Sequence, residues 1–156
     1  MSRMLSLAAL GLALIAVAPL DAAAAEPELE AVLSVMGYGY KVKVLVNGAD
    51  TGVRGGKSES KRLFNKSHPM VAKASPDIRA SHFLLKPGAN EVAIEYSKTD
   101  PKAADRLEIT LEAEGYPQPL LRLVNRGKPS DKLSVKLQIE KAAPASFKPV
   151  AIGDEK

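Results

Sequence analysis

The sequence predicts an all-β fold: an antiparallel two-sheet β-sandwich of about seven to eight strands. Three observations lead there. Apolar residues recur at every second position in five separate stretches, as strands with one dry and one wet face require. Asn-Gly, Pro-Gly and clusters of glycine and proline separate those stretches at short intervals. No stretch carries apolar residues at helical spacing over a substantial length. Half-wet sheets hide their dry faces against each other, so two stacked sheets with Greek-key connections are the leading architecture. A small barrel is second.

The elements follow in order. In Glu28–Met36, residues Leu29, Ala31, Leu33 and Val35 share one face. Next, Tyr40, Val42, Val44 and Val46 alternate with Lys41 and Lys43, and the strand ends at Asn47-Gly48, a pair that adopts positive φ cheaply. With Gly52, Gly55 and Gly56 following, residues 47–60 read mostly as turn or loop. KRLFNK at 61–66 could form a short strand, whereas Pro69 and Pro76 oppose long regular structure. Residues 78–85 read as a strand closed by Pro87-Gly88. Val92, Ile94 and Tyr96 alternate with Glu91, Ala93 and Glu95. Leu107, Ile109, Leu111 and Ala113 alternate with Glu108, Thr110 and Glu112. Leu120–Asn125 is a short strand, and Leu133, Val135, Leu137 and Ile139 complete the series. The sandwich domain is thus placed at 26–141. Residues 142–156, with two prolines and no alternation, form an extended or disordered tail in which Phe147 could dock on the domain.

Two phrases, VKVLVNGADTG at 42–52 and LLKPGANEVAIEY at 84–96, resemble a pair found in extracellular β-sandwich modules, both immunoglobulin-like domains and sugar-binding jelly-roll domains. The resemblance implies architecture: a strand–Asn-Gly–strand hairpin, and a Pro-Gly turn leading into a core strand. The Cys…Trp…Cys framework of antibody domains is missing. Glycan binding is one function that such modules serve, but no tryptophan supplies a stacking surface.

The full chain has 156 residues and neither cysteine nor tryptophan. Disulfides, thiolate nucleophiles and Cys-based metal sites are therefore excluded. Arg3 precedes an uncharged stretch, MLSLAALGLALIAVAPL at 4–20, and Ala23 and Ala25 fit an A-x-A cleavage pattern. Residues 1–25 are read as a cleaved signal peptide, which predicts a periplasmic or secreted protein. No second apolar stretch of spanning length follows, so no transmembrane segment is expected in the mature chain.

Charge is the strongest functional signal. Residues 54–79 contain Arg54, Lys57, Lys61, Arg62, Lys66, Lys73 and Arg79 against only Glu59 and Asp77. The densest group, Arg54, Lys57, Lys61, Arg62 and Lys66, is the candidate binding surface. It would face an anionic glycan, a lipid surface or an acidic protein. Nucleic acid is not expected, because aromatic residues do not punctuate the patch. A sheet edge that pairs strand to strand with another protein is the competing mode of recognition. His68, Met70 and His82 form an alternative, a periplasmic copper site with soft and borderline ligands. No cofactor is otherwise implied, and a purely structural subunit is a further alternative. Enzymatic activity is not expected. There is no G-x-S-x-G unit, Gly55-Gly56-Lys57-Ser58 lacks the earlier glycine of a phosphate loop, and no carboxylate pair is marked out by spacing.

Overall fold

The computed structural model describes residues 25–102, 106–141 and 148–153. The expected signal peptide and Phe147 lie outside them, apart from Ala25. Among the described residues, nine strands form two sheets, so the sandwich is as expected, with one short α-helix. Strands β1 (Glu30–Met36), β4 (Ser58–Phe64), β6 (Leu107–Ala113), β7 (Leu121–Asn125) and β9 (Val150–Ile152) make one sheet in the order β4-β1-β6-β7-β9. Strands β2 (Tyr40–Val46), β3 (Ala49–Asp50), β5 (Gly88–Lys98) and β8 (Ser130–Ile139) make the other in the order β3-β2-β5-β8. All ladders are antiparallel except β7–β9.

Alternation decides what is buried. Leu29, Ala31, Leu33 and Val35 are buried from one sheet, and Tyr40, Val42, Val44 and Val46 from the other. Val92, Ile94, Tyr96, Leu107, Ile109, Leu111 and Leu121 complete the centre of the core. Each fully buried Leu or Ile there would cost roughly 2–5 kcal/mol on truncation to Ala. That packing has to hold the domain without a disulfide.

Asn47 and Gly48 take φ of 51° and 82°, as the hairpin between β2 and β3 requires. The two resembling phrases prove to be one joint. The Asn47 carboxamide donates to the Leu84 carbonyl (2.8 Å) and to Asn90 Oδ1 (2.8 Å), and accepts from Glu91 N (3.0 Å). Asn90 Oδ1 also accepts from Lys86 N (2.9 Å), and Asn90 Nδ2 donates to the Lys86 and Gly88 carbonyls. Asn65 works similarly, binding Leu29 N and the Pro27 carbonyl to fix the entry into β1. Asn65 and Asn90 are buried and Asn47 is half-buried, and among the described residues no buried side-chain polar atom lacks a partner.

One expectation needs correction. Residues 78–85 are not a strand. The α-helix α1 spans Pro76–His82, with the Ser75 hydroxyl accepting from Ile78 N and Pro76 in the first turn. A short 3₁₀ turn, Pro69–Lys73, precedes it. The apparent alternation misled because Ile78 is exposed, while the residues that reach the core are Phe83 and Leu85, beyond the helix. Residues 47–60 are mostly turn and loop as expected, with short β3, a bridge from Gly55 to Lys41 of β2, and the start of β4 at Ser58. In the described part of the tail, Val150–Ile152 is extended and pairs in parallel with β7.

Candidate functional site

Among the described residues, strand β4 lies on the edge of its sheet, paired with β1 alone, and its alternation divides the expected basic cluster. Arg62 stands opposite Val32 on the outer face and pairs with Glu30 at 2.5 Å. Lys61 stands opposite Leu33, turned toward the sandwich rim, where its ammonium donates to the Thr51 carbonyl. Burial lowers the Lys61 pKa. Arg54 clamps Asp50 through both guanidinium nitrogens, at 3.0 Å each. That contact holds the Asp50 carboxyl below the usual range. Glu59 accepts from Arg54 N and Gly55 N and lies 4.0 Å from the Lys57 ammonium.

Arg54, Lys57 and Arg62 are therefore each matched to a carboxylate, and Lys61 to a carbonyl. Of the five candidate residues, Lys61 and Lys66 have no acidic partner within 4 Å among the described residues, and Lys66 lacks the carbonyl contact that holds Lys61. Lys66 belongs to a second group formed by the cap of the sandwich at 65–86. Lys66, Lys73, Arg79 and Lys86 are all exposed there, with Asp77 as the one acid in the segment. Lys66 and Lys86 each follow a residue of the parallel bridge Asn65–Leu85, which brings the two ends of the cap together. Neither the 3₁₀ turn nor α1 contains a buried residue, and Met70 (46 %) and Ile78 (43 %) are exposed beside these cations. The cap is thus basic with an apolar component. Lys86 was missed at the sequence level because it sits in what reads as a turn, outside the charge run.

The histidines have local duties. His68 Nδ1 caps the 3₁₀ turn by accepting from Met70 N (3.2 Å), its Nε2 lies 3.9 Å from Glu30, and its ring packs 4.5 Å from Phe64. His82 Nδ1 lies 2.8 Å from the Arg62 carbonyl, which requires the proton on that nitrogen. Among the described residues, no three His, Cys, Asp or Glu side chains group as a metal site. Among the same residues, no helix is long and apolar enough to cross a membrane. No protein-family model, curated protein or solved structure matches this chain.

Proposed function

We propose that the protein is an exported, non-catalytic binding module that presents the basic cap at 65–86 to an anionic partner. The carrying observation is the contrast within its positive charge. Arg54, Lys57 and Arg62 are paired, whereas Lys66, Lys73, Arg79 and Lys86 have no acidic partner within 4 Å among the described residues. A paired guanidinium has its charge and hydrogen bonds already engaged, so an incoming anion gains little from it. Free cations on short turns held by a rigid sandwich can meet sulfate, phosphate or carboxylate groups without first breaking a bond. Exposed Met70 and Ile78 add apolar contact of the kind that lipid surfaces and protein faces reward.

The test uses defined polyanions: a sulfated polysaccharide and phosphatidylglycerol vesicles, each in a series of salt concentrations. Changing Lys66, Lys73 and Arg79 to Glu should weaken binding about tenfold or more at physiological salt, at up to about 1 kcal/mol per exposed charge contact. Changing Arg54 and Lys57 to Glu should have a smaller effect. Equal effects from both sets, or binding insensitive to salt, would refute the cap as the contact surface.

A further inference from the structure

We propose that the outer edge of β8 is a docking site for an extended strand of a partner protein with the pattern acid–apolar–any–apolar–acid. This surface is separate from the basic cap, and the proposal stands or falls without it.

Strand β8 is the outermost member of its sheet among the described residues. It pairs with β5 over ten consecutive positions, Ser97↔Ser130 to Gly88↔Ile139, in one unbroken register. Its other edge pairs with no described strand. Proteins commonly protect such an edge with proline, a bulge, brevity or charge. On β8 only charge is present, as the outward Lys132 and Lys136 and the inward-side Asp131, and charge admits a strand of complementary sign and repels others. Residues 130–139, SDKLSVKLQI, contain no proline and no glycine, and the register shows no bulge. A long row of backbone donors and acceptors is left for another strand.

The dry side asks for apolar residues. On β5 the inward positions Val92, Ile94 and Tyr96 are buried, but the equivalent Leu133 and Val135 of β8 are only half-buried. Leu133 lines an open cleft between the sheets together with Tyr96, Leu123 and Ile152. A strand added outside β8 would set its own inward side chains beside Leu133 and Val135 and complete their burial.

The wet side fixes the charge. Across the sheet, one row runs Lys43–Glu95–Lys132, and the row four residues away along β5 and β8 runs Glu91–Lys136. Between them lies Leu45–Ala93–Ser134. Sign alternates from strand to strand, so the next strand should place acids opposite Lys132 and Lys136, four residues apart. Apolar residues fall opposite Leu133 and Val135, between those acids. Strand β5 already meets β8 from the other side with this pattern, Glu91-Val92-Ala93-Ile94-Glu95.

A second copy of the chain does not supply it. In an antiparallel β8–β8 pair centred on Ser134, Lys132 would face Lys136 of the other copy. Centred on Leu133 or Val135, the lysines would face serine or glutamine, because the outward positions of β8 hold no acid. The complement therefore comes from a different, acidic strand.

The experiment uses the mature protein and a capped peptide of sequence NEVAIEYS, together with a version in which both Glu are Lys. At about millimolar peptide, the acidic version should slow amide exchange along β8, while the lysine version should not. The charge-swapped protein K132E/K136E should lose the acidic peptide at least tenfold and gain the lysine one. The neutral variant K132Q/K136Q, which avoids new repulsion with Glu91 and Glu95, should lose the acidic peptide without gaining the other. Reversing Lys66, Lys73 and Arg79 in the cap should leave peptide binding unchanged. No protection of β8 amides by the acidic peptide, or protection indifferent to the charge swap, would overturn the proposal.

Discussion

Removing the Asn90 carboxamide should destabilise the sandwich by about 3 kcal/mol. The side chain is 2 % exposed and makes four hydrogen bonds, accepting from Asn47 Nδ2 and Lys86 N and donating to the carbonyls of Lys86 and Gly88. At about 1 kcal/mol net for each bond, complete loss in Asn90→Ala approaches 4 kcal/mol. Water can reach part of this turn, since Lys86 is exposed, and Asn47 Nδ2 keeps the Leu84 carbonyl. Those two facts offset roughly 1 kcal/mol. With a urea m-value of about 1.5 kcal/mol/M, the midpoint should fall by about 2 M. Without tryptophan, the transition is followed by far-ultraviolet circular dichroism or by the emission of the tyrosines.

Asn90→Asp sharpens the test, because it keeps shape and changes only what the side chain donates. The oxygen that replaces Nδ2 would face the Lys86 and Gly88 carbonyls, so the ionised form is disfavoured in the folded state and its pKa is raised. The unfolded chain then holds fewer protons than the folded one. The variant should be destabilised at neutral pH and recover relative to wild type as pH falls through the raised value. A midpoint shift below about 0.3 M for Asn90→Ala would refute the account of these bonds as the joint between the two phrases. So would an Asn90→Asp variant that gains nothing in acid.

Other outcomes follow from single contacts. Gly55→Ala should destabilise by roughly 2 kcal/mol or more, since φ is +76° and a Cβ would stand 2.3 Å from the Tyr40 carbonyl oxygen; thermal unfolding reads this directly. Ser75→Ala should remove about 1 kcal/mol from α1 alone. Because the helix buries no residue, faster amide exchange at 78–83 should accompany an unchanged urea midpoint. The Asp50 and Glu108 carboxyls are held below their ordinary values, chiefly by hydrogen bonds from Arg54 and from Arg106 and Arg122. Their contribution is complete above the unfolded values and lost as pH falls through the lowered ones, so Arg54→Met should flatten the acid limb of a stability–pH curve.

The sandwich was legible because its main strands are long, and alternation in a strand of seven residues is hard to mistake. Leu33, Val44, Ile94 and Ile109 follow their pattern without exception. The helix was not legible by that criterion, since alternation at 78–84 competed with capping chemistry at Ser75-Pro76-Asp77. Over so short a segment, capping was the better guide. The charge run at 54–66 was visible, but its neutralisation was not. Asp50 lies four residues before Arg54, whereas Glu30 meets Arg62 only through the β1–β4 register. Composition counts charges, and register decides which remain available.

The last strand shows the same limit from another side and bears on where a partner would fit. Nothing local in Val150–Ile152 specifies a parallel pairing with β7, because that choice depends on a strand far away in the chain. Once made, it gives one sheet five strands and leaves the other with four. Strands β8 and β9 then line the same mouth, with Leu133 of one near Ile152 of the other across the gap between the sheets. Val150 and Ile152 of β9 pack against the core on that side, and the shorter sheet ends in β8, whose outer edge meets no described strand and whose Leu133 and Val135 are half-buried. On the opposite side, β3 and Gly55 pair with β2 beside the Lys61–Thr51 contact, which closes the rim. The rim is therefore bridged beside the Lys61–Thr51 contact, while β4 and β8 each keep an outer edge with no described strand; on the β8 side a fifth strand would make the two sheets equal in number.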